Sequence, residues 1–145
     1  MTVRRATHLD ITALMVLMNE FRKFYKQESN PEEVESFLND RMNKEDSVIF
    51  VAVLEDQMLG YTQLFPSFST IKLEEIWILN DLFVSEQFRG LGVASQLLTS
   101  VLEFSKATHR QQVWLLTGND NKKAQQLYHK IGFNNTKFKH YVFNF

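Results

Sequence analysis

Glycine is scarce in this chain, and its placement constrains the fold more than any other feature. Five of the 145 residues are glycine, and two of them, Gly90 and Gly92, lie two positions apart. The apolar run 76–84 predicts a buried strand before them, and the periodic residues after Gly92 predict a helix to about Ala107. Glycine lets backbone N–H groups converge without a Cβ in the way, and a helix start adds unpaired N–H groups and a positive dipole end. The segment is therefore suited to hold an anion such as a phosphate.

Two common phosphate-binding motifs do not fit this segment. A dinucleotide-binding loop has a third glycine where this chain has Ser95. Such a loop also follows the first strand of its sheet, whereas the glycines here follow the fourth predicted strand. A nucleotide-triphosphate loop has a lysine directly after its last glycine, and Gly92 is followed by Val93. A tight turn without a ligand is the simpler alternative to an anion site.

The rest of the chain predicts one domain over residues 1–145 in which helices and strands alternate. Helical spacing and capping residues predict helices at 11–26, 31–42, 92–107 and 121–131. Apolar runs and turn residues predict strands at 3–6, 48–54, 58–65, 76–84 and 113–117. Alternating aromatic residues at 139–145 predict a final strand at the carboxyl end. This order predicts an α+β fold, a mixed α/β sandwich.

Composition excludes several classes of protein. Hydrophobic residues make up 44% of the chain and charged residues 23%, as in a globular domain. No apolar run reaches the roughly 18 residues of a membrane span, and the first residues do not resemble a signal peptide. Cysteine is absent, which excludes disulfides, thiolate metal sites and a cysteine nucleophile. The four histidines lack the spacing of metal ligands. The net charge of −1 gives no general attraction to nucleic acid. The expected location of the protein is the cytoplasm.

Charge is divided unevenly along the chain. Residues 28–46 hold seven acids against two bases, whereas residues 121–145 hold five lysines and no acid. The two segments are either solvated faces or an anionic and a cationic binding region.

A second motif follows the predicted strand 113–117. Asn121, Ala124 and Tyr128 are spaced so that they lie on one face of a helix, which Gly132 ends. Considered alone, Tyr128 is better explained as a core aromatic residue than as a reactive group.

Together, the two motifs resemble the GNAT superfamily of acyl-CoA N-acyltransferases. Gln87, Gly90 and Gly92 match its Q/R-x-x-G-x-G/A signature, and the later motif matches N-x-x-A-x-x-x-Y followed by G-F. The resemblance covers essentially the whole chain. It implies a central, mostly antiparallel sheet with a splayed pair of strands, flanked by about four helices.

The resemblance also implies acetyl-CoA as co-substrate and a set of residues that bind it. The backbone of 82–84 would bind the pantetheine arm as another strand would, and residues 87–95 would hold the pyrophosphate. The implied cofactor-binding residues are Leu82, Phe83, Val84, Gln87, Arg89, Gly90, Leu91, Gly92, Val93, Ala94, Ser95, Asn121 and Ala124. No metal is implied.

In such an enzyme, Tyr128 would be the general acid that protonates the departing thiolate. Only a deprotonated amine attacks a thioester, so a base is also needed. The base could be one of three carboxylates or a chain of water molecules; the carboxylates are those of Asp81, Glu74 and Glu75. Asp81 could instead contact the acceptor. Without cysteine, direct transfer is expected rather than a covalent cysteinyl intermediate.

The segment Trp77–Val84 further resembles the central strand of diamine acetyltransferases and of small yeast-type histone and polyamine acetyltransferases. Asn80 stands where the diamine enzymes have glutamate, so that base does not carry over. The acidic segment 28–46 favours a small cationic amine as acceptor. A protein-lysine acetyltransferase, a CoA-binding regulator without turnover and a protein-interaction domain are the alternatives. A homodimer is expected, because a second subunit could cover the edge strand of the tail.

Overall fold

A computed structural model describes residues 1–145 and shows a five-stranded sheet with helices on both faces. The strands are β1 (Thr2–Arg5), β2 (Val48–Leu54), β3 (Gln57–Ser69), β4 (Glu74–Val84) and β5 (Val113–Leu115). The helices are α1 (Ile11–Phe24), α2 (Pro31–Lys44), α3 (Val93–Ala107) and α4 (Lys122–Ile131). None of these helices combines the length and the apolar character needed to cross a bilayer.

The strands lie in the sheet in the order in which they occur in the chain. Neighbours from β1 to β4 are antiparallel, and β4 with β5 is the one parallel pair. Such a sheet with four main helices confirms the expected α+β class and the mostly antiparallel sheet.

Strand β2 explains why both faces are covered. Its residues are apolar without interruption, and alternate side chains enter two separate cores. Phe50 packs with α3 on one face, whereas Val51 packs with α1 and α2 on the other. A strand that is buried on both faces holds the sheet between two helical layers.

Asn80 changes which face the end of β4 presents. Leu79 pairs with Leu64 and Asp81 pairs with Gln63, so Asn80 is an extra residue that forms a bulge. Before the bulge, Leu79 faces the α3 core; after it, Phe83 faces the α1 and α2 core. The bulge therefore directs Asp81, which shares a face with Phe83, toward α1 and α2.

One local expectation from the sequence is wrong. Residues 139–145 form no strand and lie exposed, because an alternating pattern becomes a strand only where a neighbouring strand pairs with its backbone. Asp10 is the N-cap residue of α1, but its side chain forms no capping hydrogen bond with that helix. Its carboxylate instead accepts two hydrogen bonds from Arg4, each 2.8 Å long, and one from the Thr7 backbone N–H.

Candidate active site

The parallel strands β4 and β5 are paired over three residues only, which lie in the middle of β4. Their register runs from Trp77 opposite Val113 to Leu79 opposite Leu115, and no pair follows. On its other edge, β4 stays paired with β3 as far as Val84. Residues 80–84 therefore have a free edge toward β5, where an extended chain could form the hydrogen bonds of a missing strand.

The glycine loop, residues 85–92, connects this free edge to α3. Gly90 and Gly92 have φ angles of +81° and +79°, and an added Cβ would meet nothing within 4 Å at either position. Their requirement for glycine is thus one of backbone conformation and not of space inside the protein. No side chain caps α3, and the N–H groups from Gly90 to Ser95 donate to no other group of the chain. These N–H groups at a helix start are donors for an anion.

Arg89 braces the glycine loop against β4. Its Nε donates to the Val84 carbonyl oxygen at 3.1 Å, and its guanidinium lies 5.7 Å from the centre of the Phe83 ring. This leaves the two terminal nitrogens of the guanidinium without a partner in the chain. Gln87 and Leu91 are exposed on the loop, while Val93 is buried beneath it as an anchor of α3.

Helix α4 lies beyond the open end of β5 and carries the second motif. Asn121 caps the helix, since its Oδ1 accepts from the Ala124 N–H at 3.3 Å. The Gln125 side chain donates to the Gly118 carbonyl oxygen at 2.8 Å and thereby fixes the loop between β5 and α4. The side-chain oxygen of Asn121 is thus engaged in holding the helix start, a role the sequence spacing did not reveal.

Tyr128 is half-buried on α4, with its ring 5.8 Å from that of Phe133. Its hydroxyl has no hydrogen-bond partner within the chain. Burial raises the pKa of Tyr128, and the nearby Tyr25 hydroxyl adds to the rise. A phenol is protonated at neutral pH even at its ordinary pKa of about 10, so Tyr128 has a proton to donate and no phenolate form that could act as a base.

Asp81 is the centre of a buried polar cluster, formed by Tyr61, Gln63, Asn80 and Asp81. One carboxylate oxygen accepts from the Tyr61 hydroxyl at 3.3 Å and from the Gln63 amide at 2.9 Å. The other accepts from the Asn80 amide at 2.6 Å. Burial raises the pKa of Asp81, although these three hydrogen bonds oppose the rise. A carboxylate with a raised pKa is a better proton acceptor than an exposed one.

Tyr61 and Gln63 were missed in the sequence because β3 shows no clear alternation there. Both are fully buried, and the side-chain amide oxygen (Oε1) of Gln63 has no partner in the chain. The pairing of Gln63 with Asp81 across β3 and β4 is a matter of register, which a single sequence does not contain.

Glu74 and Glu75, the other two carboxylates considered as a base, lie at the opposite end of β4. Six or seven residues separate them from Asp81, which is about 20 Å along a strand. Glu75 forms an ion pair with Arg110 at 3.5 Å. The fold thus brings only Asp81 to the end of β4 that leads into the glycine loop. No three His, Asp or Glu side chains are grouped so that they could hold a metal ion.

An open cleft borders this region. Its walls are the carboxyl end of α1, with Phe24, Tyr25 and Lys26, and the loop before α4, with Asp120 and Asn121. Tyr25 lies directly after the last residue of α1 and is half exposed. The cleft therefore joins the α1 side of the sheet to the helix that carries the second motif.

Comparison with known proteins agrees with this geometry. The family model described as acetyltransferase (GNAT) family matches residues 14–133. An uncharacterized N-acetyltransferase of Bacillus subtilis is 36% identical over 99% of this chain and 97% of its own length. The crystal structure of a probable acetyltransferase, also 36% identical, superposes with a TM-score of 0.93 over 100% of this chain and 98% of its own.

A more distant structure, a predicted acetyltransferase with acetyl-CoA from Clostridium acetobutylicum, shares the fold. It is 18% identical, with a TM-score of 0.80 over 97% of this chain and 94% of its own. Family match and full-length similarity agree with the two motifs that flank the open end of β4 and β5. The chain therefore belongs to the acetyltransferase (GNAT) family and is an enzyme of the N-acetyltransferase class.

Proposed function

We propose that residues 1–145 act as one catalytic domain that transfers an acetyl group from acetyl-CoA to the primary amine of a small cationic acceptor. The observation that carries this proposal is the arrangement at the end of β4. A free strand edge, a loop of unpaired N–H groups and a buried carboxylate meet there.

The unpaired groups suit acetyl-CoA in both length and chemistry. The edge of 82–84 offers backbone donors and acceptors to the amides of a pantetheine arm, and the N–H groups of 90–95 suit a pyrophosphate. Arg89 adds positive charge next to those N–H groups. When bound, acetyl-CoA supplies an acetyl thioester, whose carbonyl carbon accepts a nucleophile.

Asp81 is proposed to receive a proton from the acceptor ammonium, directly or through water. The nitrogen lone pair then forms a bond to the acetyl carbon while the carbon–sulfur bond breaks. Tyr128 gives its proton to the departing sulfur, whose thiol has a pKa of about 8.5, and so prevents the reverse attack. The nitrogen still carries one extra proton after its bond to carbon forms, and it passes that proton through water to the Tyr128 phenolate, which restores the phenol and leaves a neutral amide. The polar cluster contributes by fixing the Asp81 carboxylate in one orientation.

The acceptor class is inferred from charge. Helix α2 exposes Glu32, Glu33 and Glu35 on the layer that covers the Asp81 face of the sheet, and this side attracts cations. A small amine or polyamine therefore fits better than a neutral acceptor. The expected homodimer is part of this proposal.

A change of Tyr128 to Phe tests the proton donor. The phenyl ring preserves the contact with Phe133 and removes only the hydroxyl. We expect kcat to fall roughly 10²- to 10⁴-fold while the Kd for acetyl-CoA stays within about twofold. Unchanged turnover with a competent amine would remove Tyr128 from the mechanism.

A panel of acceptors tests the substrate class. Release of CoA is measured with polyamines, amino acids, aminoglycosides and lysine peptides as acceptors. Faster release with polyamines than with lysine peptides is expected. Release only with peptides would identify a protein-lysine acetyltransferase, and tight acetyl-CoA binding without turnover on any acceptor would identify a regulator.

A further inference from the structure

Of the three side chains that donate to the Asp81 carboxylate, Asn80 alone is exposed to solvent. Tyr61 and Gln63 are 0% and 1% exposed, and Asp81 itself is 4% exposed. The two buried donors share Oδ2 of the carboxylate, whereas the Asn80 amide nitrogen lies 2.6 Å from Oδ1. Oδ1 is therefore the oxygen that a molecule from solvent can reach once the Asn80 amide moves aside.

The two buried donors cannot be exchanged for a ligand without loss. A buried donor that loses its partner costs the desolvation free energy of the group, whereas an exposed amide that leaves its partner is rehydrated. Gln63 already has its Oε1 without a partner, so separation from Asp81 would leave its whole amide without a hydrogen bond. Asn80 is thus the donor that can leave the carboxylate at little cost.

An ammonium group is suited to take the place of the Asn80 amide. An ionised carboxylate only accepts hydrogen bonds, and the amide and the ammonium both offer N–H donors. The ammonium adds the attraction between opposite charges, which an uncharged amide lacks. A cationic acceptor therefore competes with Asn80 for Oδ1 of Asp81, and an uncharged molecule has no such advantage.

We propose that the Asn80 side chain occupies the position of the acceptor amine on Asp81 in the free enzyme, and that the acceptor ammonium displaces it on binding. This inference rests on the proposed function and specifies where the amine binds. Displacement leaves Tyr61 and Gln63 on Oδ2, so the carboxylate keeps its orientation. One proton then passes from the ammonium to Oδ1, and the electron pair of the broken N–H bond stays on nitrogen as the lone pair that attacks the thioester.

Asn80 also keeps the free carboxylate ionised. Its hydrogen bond opposes the burial that raises the pKa of Asp81, and in the complex the ammonium takes over this effect. Tyr61 is the only other titratable group that hydrogen-bonds to Asp81, and no Lys, Arg or His forms an ion pair with it. Asn80 is accordingly a positioning residue, because it acts on the base and leaves before the chemical step.

Two variants, Asn80→Ala and Tyr61→Phe, each remove one hydrogen bond to the carboxylate and together separate the free enzyme from the complex. CoA release is measured against pH with the acceptor amine that reacts fastest in the panel, at saturating acetyl-CoA. The pH dependence of kcat/KM reports groups of the free enzyme, and that of kcat reports groups of the complex. Melting temperatures show that each variant is folded. Asn80 has no positive φ, so alanine suits its backbone.

Asn80→Ala should lower the KM for the acceptor roughly 2- to 10-fold above the acidic limb, because no amide has to be displaced. The acidic limb of kcat/KM should move to higher pH, since loss of the hydrogen bond raises the pKa of Asp81 in the free enzyme. The acidic limb of kcat should stay in place, because Asn80 has already left Oδ1 in the complex. Tyr61→Phe should move both limbs to higher pH and should not lower KM, because the Tyr61 hydroxyl stays on Oδ2 throughout.

The outcomes separate this inference from the proposed function. A wild type that releases CoA with an amine, together with an Asn80→Ala variant whose two limbs move equally, would overturn the inference alone. A limb of kcat/KM that does not move, or a KM that is not lowered, would overturn it as well. Absence of CoA release by the wild type with every acceptor would overturn the proposed function and this inference with it.

Discussion

A change of Gly92 to Ala separates the backbone role of the glycine loop from its proposed role in binding. At a φ of +79°, alanine is strained by about 1–2 kcal/mol, although its Cβ would meet no atom within 4 Å. A melting temperature lower by roughly 2–8 °C is expected for a chain of this size. The N–H groups of α3 would relax out of position as the strain is relieved.

The effect on binding follows from the number of N–H groups that are displaced. A hydrogen bond to a charged group contributes about 1.5–3 kcal/mol, so the loss of one to a pyrophosphate weakens acetyl-CoA binding roughly 10- to 150-fold. Calorimetry with acetyl-CoA measures this loss. S-acetylpantetheine, which lacks the pyrophosphate, should bind the wild type and Gly92→Ala equally.

Gly132→Ala is the matched control. Gly132 also has a positive φ, +114°, with no atom within 4 Å of an added Cβ, but it lies at the end of α4. It should lower the melting temperature without changing the Kd for acetyl-CoA. If Gly92→Ala and Gly132→Ala lost acetyl-CoA binding equally, the glycine loop would not hold the pyrophosphate. The same conclusion would follow if Gly92→Ala weakened the binding of S-acetylpantetheine as much as that of acetyl-CoA.

Three further predictions concern strand contact, pH and proton donation. Gly60→Ala should destabilise the fold by about 1–3 kcal/mol in urea unfolding, because its Cβ would lie 2.6 Å from a backbone oxygen of β4. Arg4→Gln should lower the free energy of unfolding at pH 7, because hydrogen bonding to Arg4 lowers the pKa of Asp10. That stabilisation is present above the unfolded pKa of about 3.9 and is lost as the pH falls through the lower folded value, so the difference from wild type should narrow below pH 4. Tyr25→Phe should lower the pKa of Tyr128 and move the alkaline limb of kcat to lower pH.

Each of these has an outcome that contradicts it. Gly118→Ala is the control for Gly60, because the nearest contact of its added Cβ is a side-chain oxygen at 3.2 Å, and equal destabilisation would remove the strand explanation. If the free energies of unfolding of Arg4→Gln and wild type differed by the same amount from pH 7 to pH 3, the ion pair would be excluded as the cause of that difference. If the alkaline limb of kcat in Tyr25→Phe stayed at the wild-type pH, a group other than Tyr128 would be responsible for that limb.

The elements that local chemistry specifies were predictable from the chain. Asn30 and Pro31 start α2 where the sequence places a cap and a first-turn proline, and the Asn30 side chain accepts from the Glu33 N–H at 3.2 Å. Gly132 ends α4 as expected of a glycine with positive φ. These signals act over three or four residues, so they can be recognised in the sequence without knowledge of the fold.

The polar cluster was not predictable in the same way. Asp81 could be named as a candidate, but its partners Tyr61 and Gln63 are about 20 positions away in the chain. The bulge at Asn80 decides which face Asp81 occupies, and a shift of one residue would have directed it to the α3 core. Pairing register depends on the whole sheet.

The class of fold, the position of the glycine loop and the resemblance to the GNAT superfamily follow from the sequence alone, and the family comparison confirmed that superfamily. These depend on periodicity, caps and short motifs, whose physics is local. Three features became visible in the folded chain: β4 and β5 separate after Leu79, Asp81 is buried among three donors, and the aromatic segment 139–145 forms no strand. Those features depend on which backbone and side-chain groups find partners across the fold, and alternation in sequence cannot supply a partner.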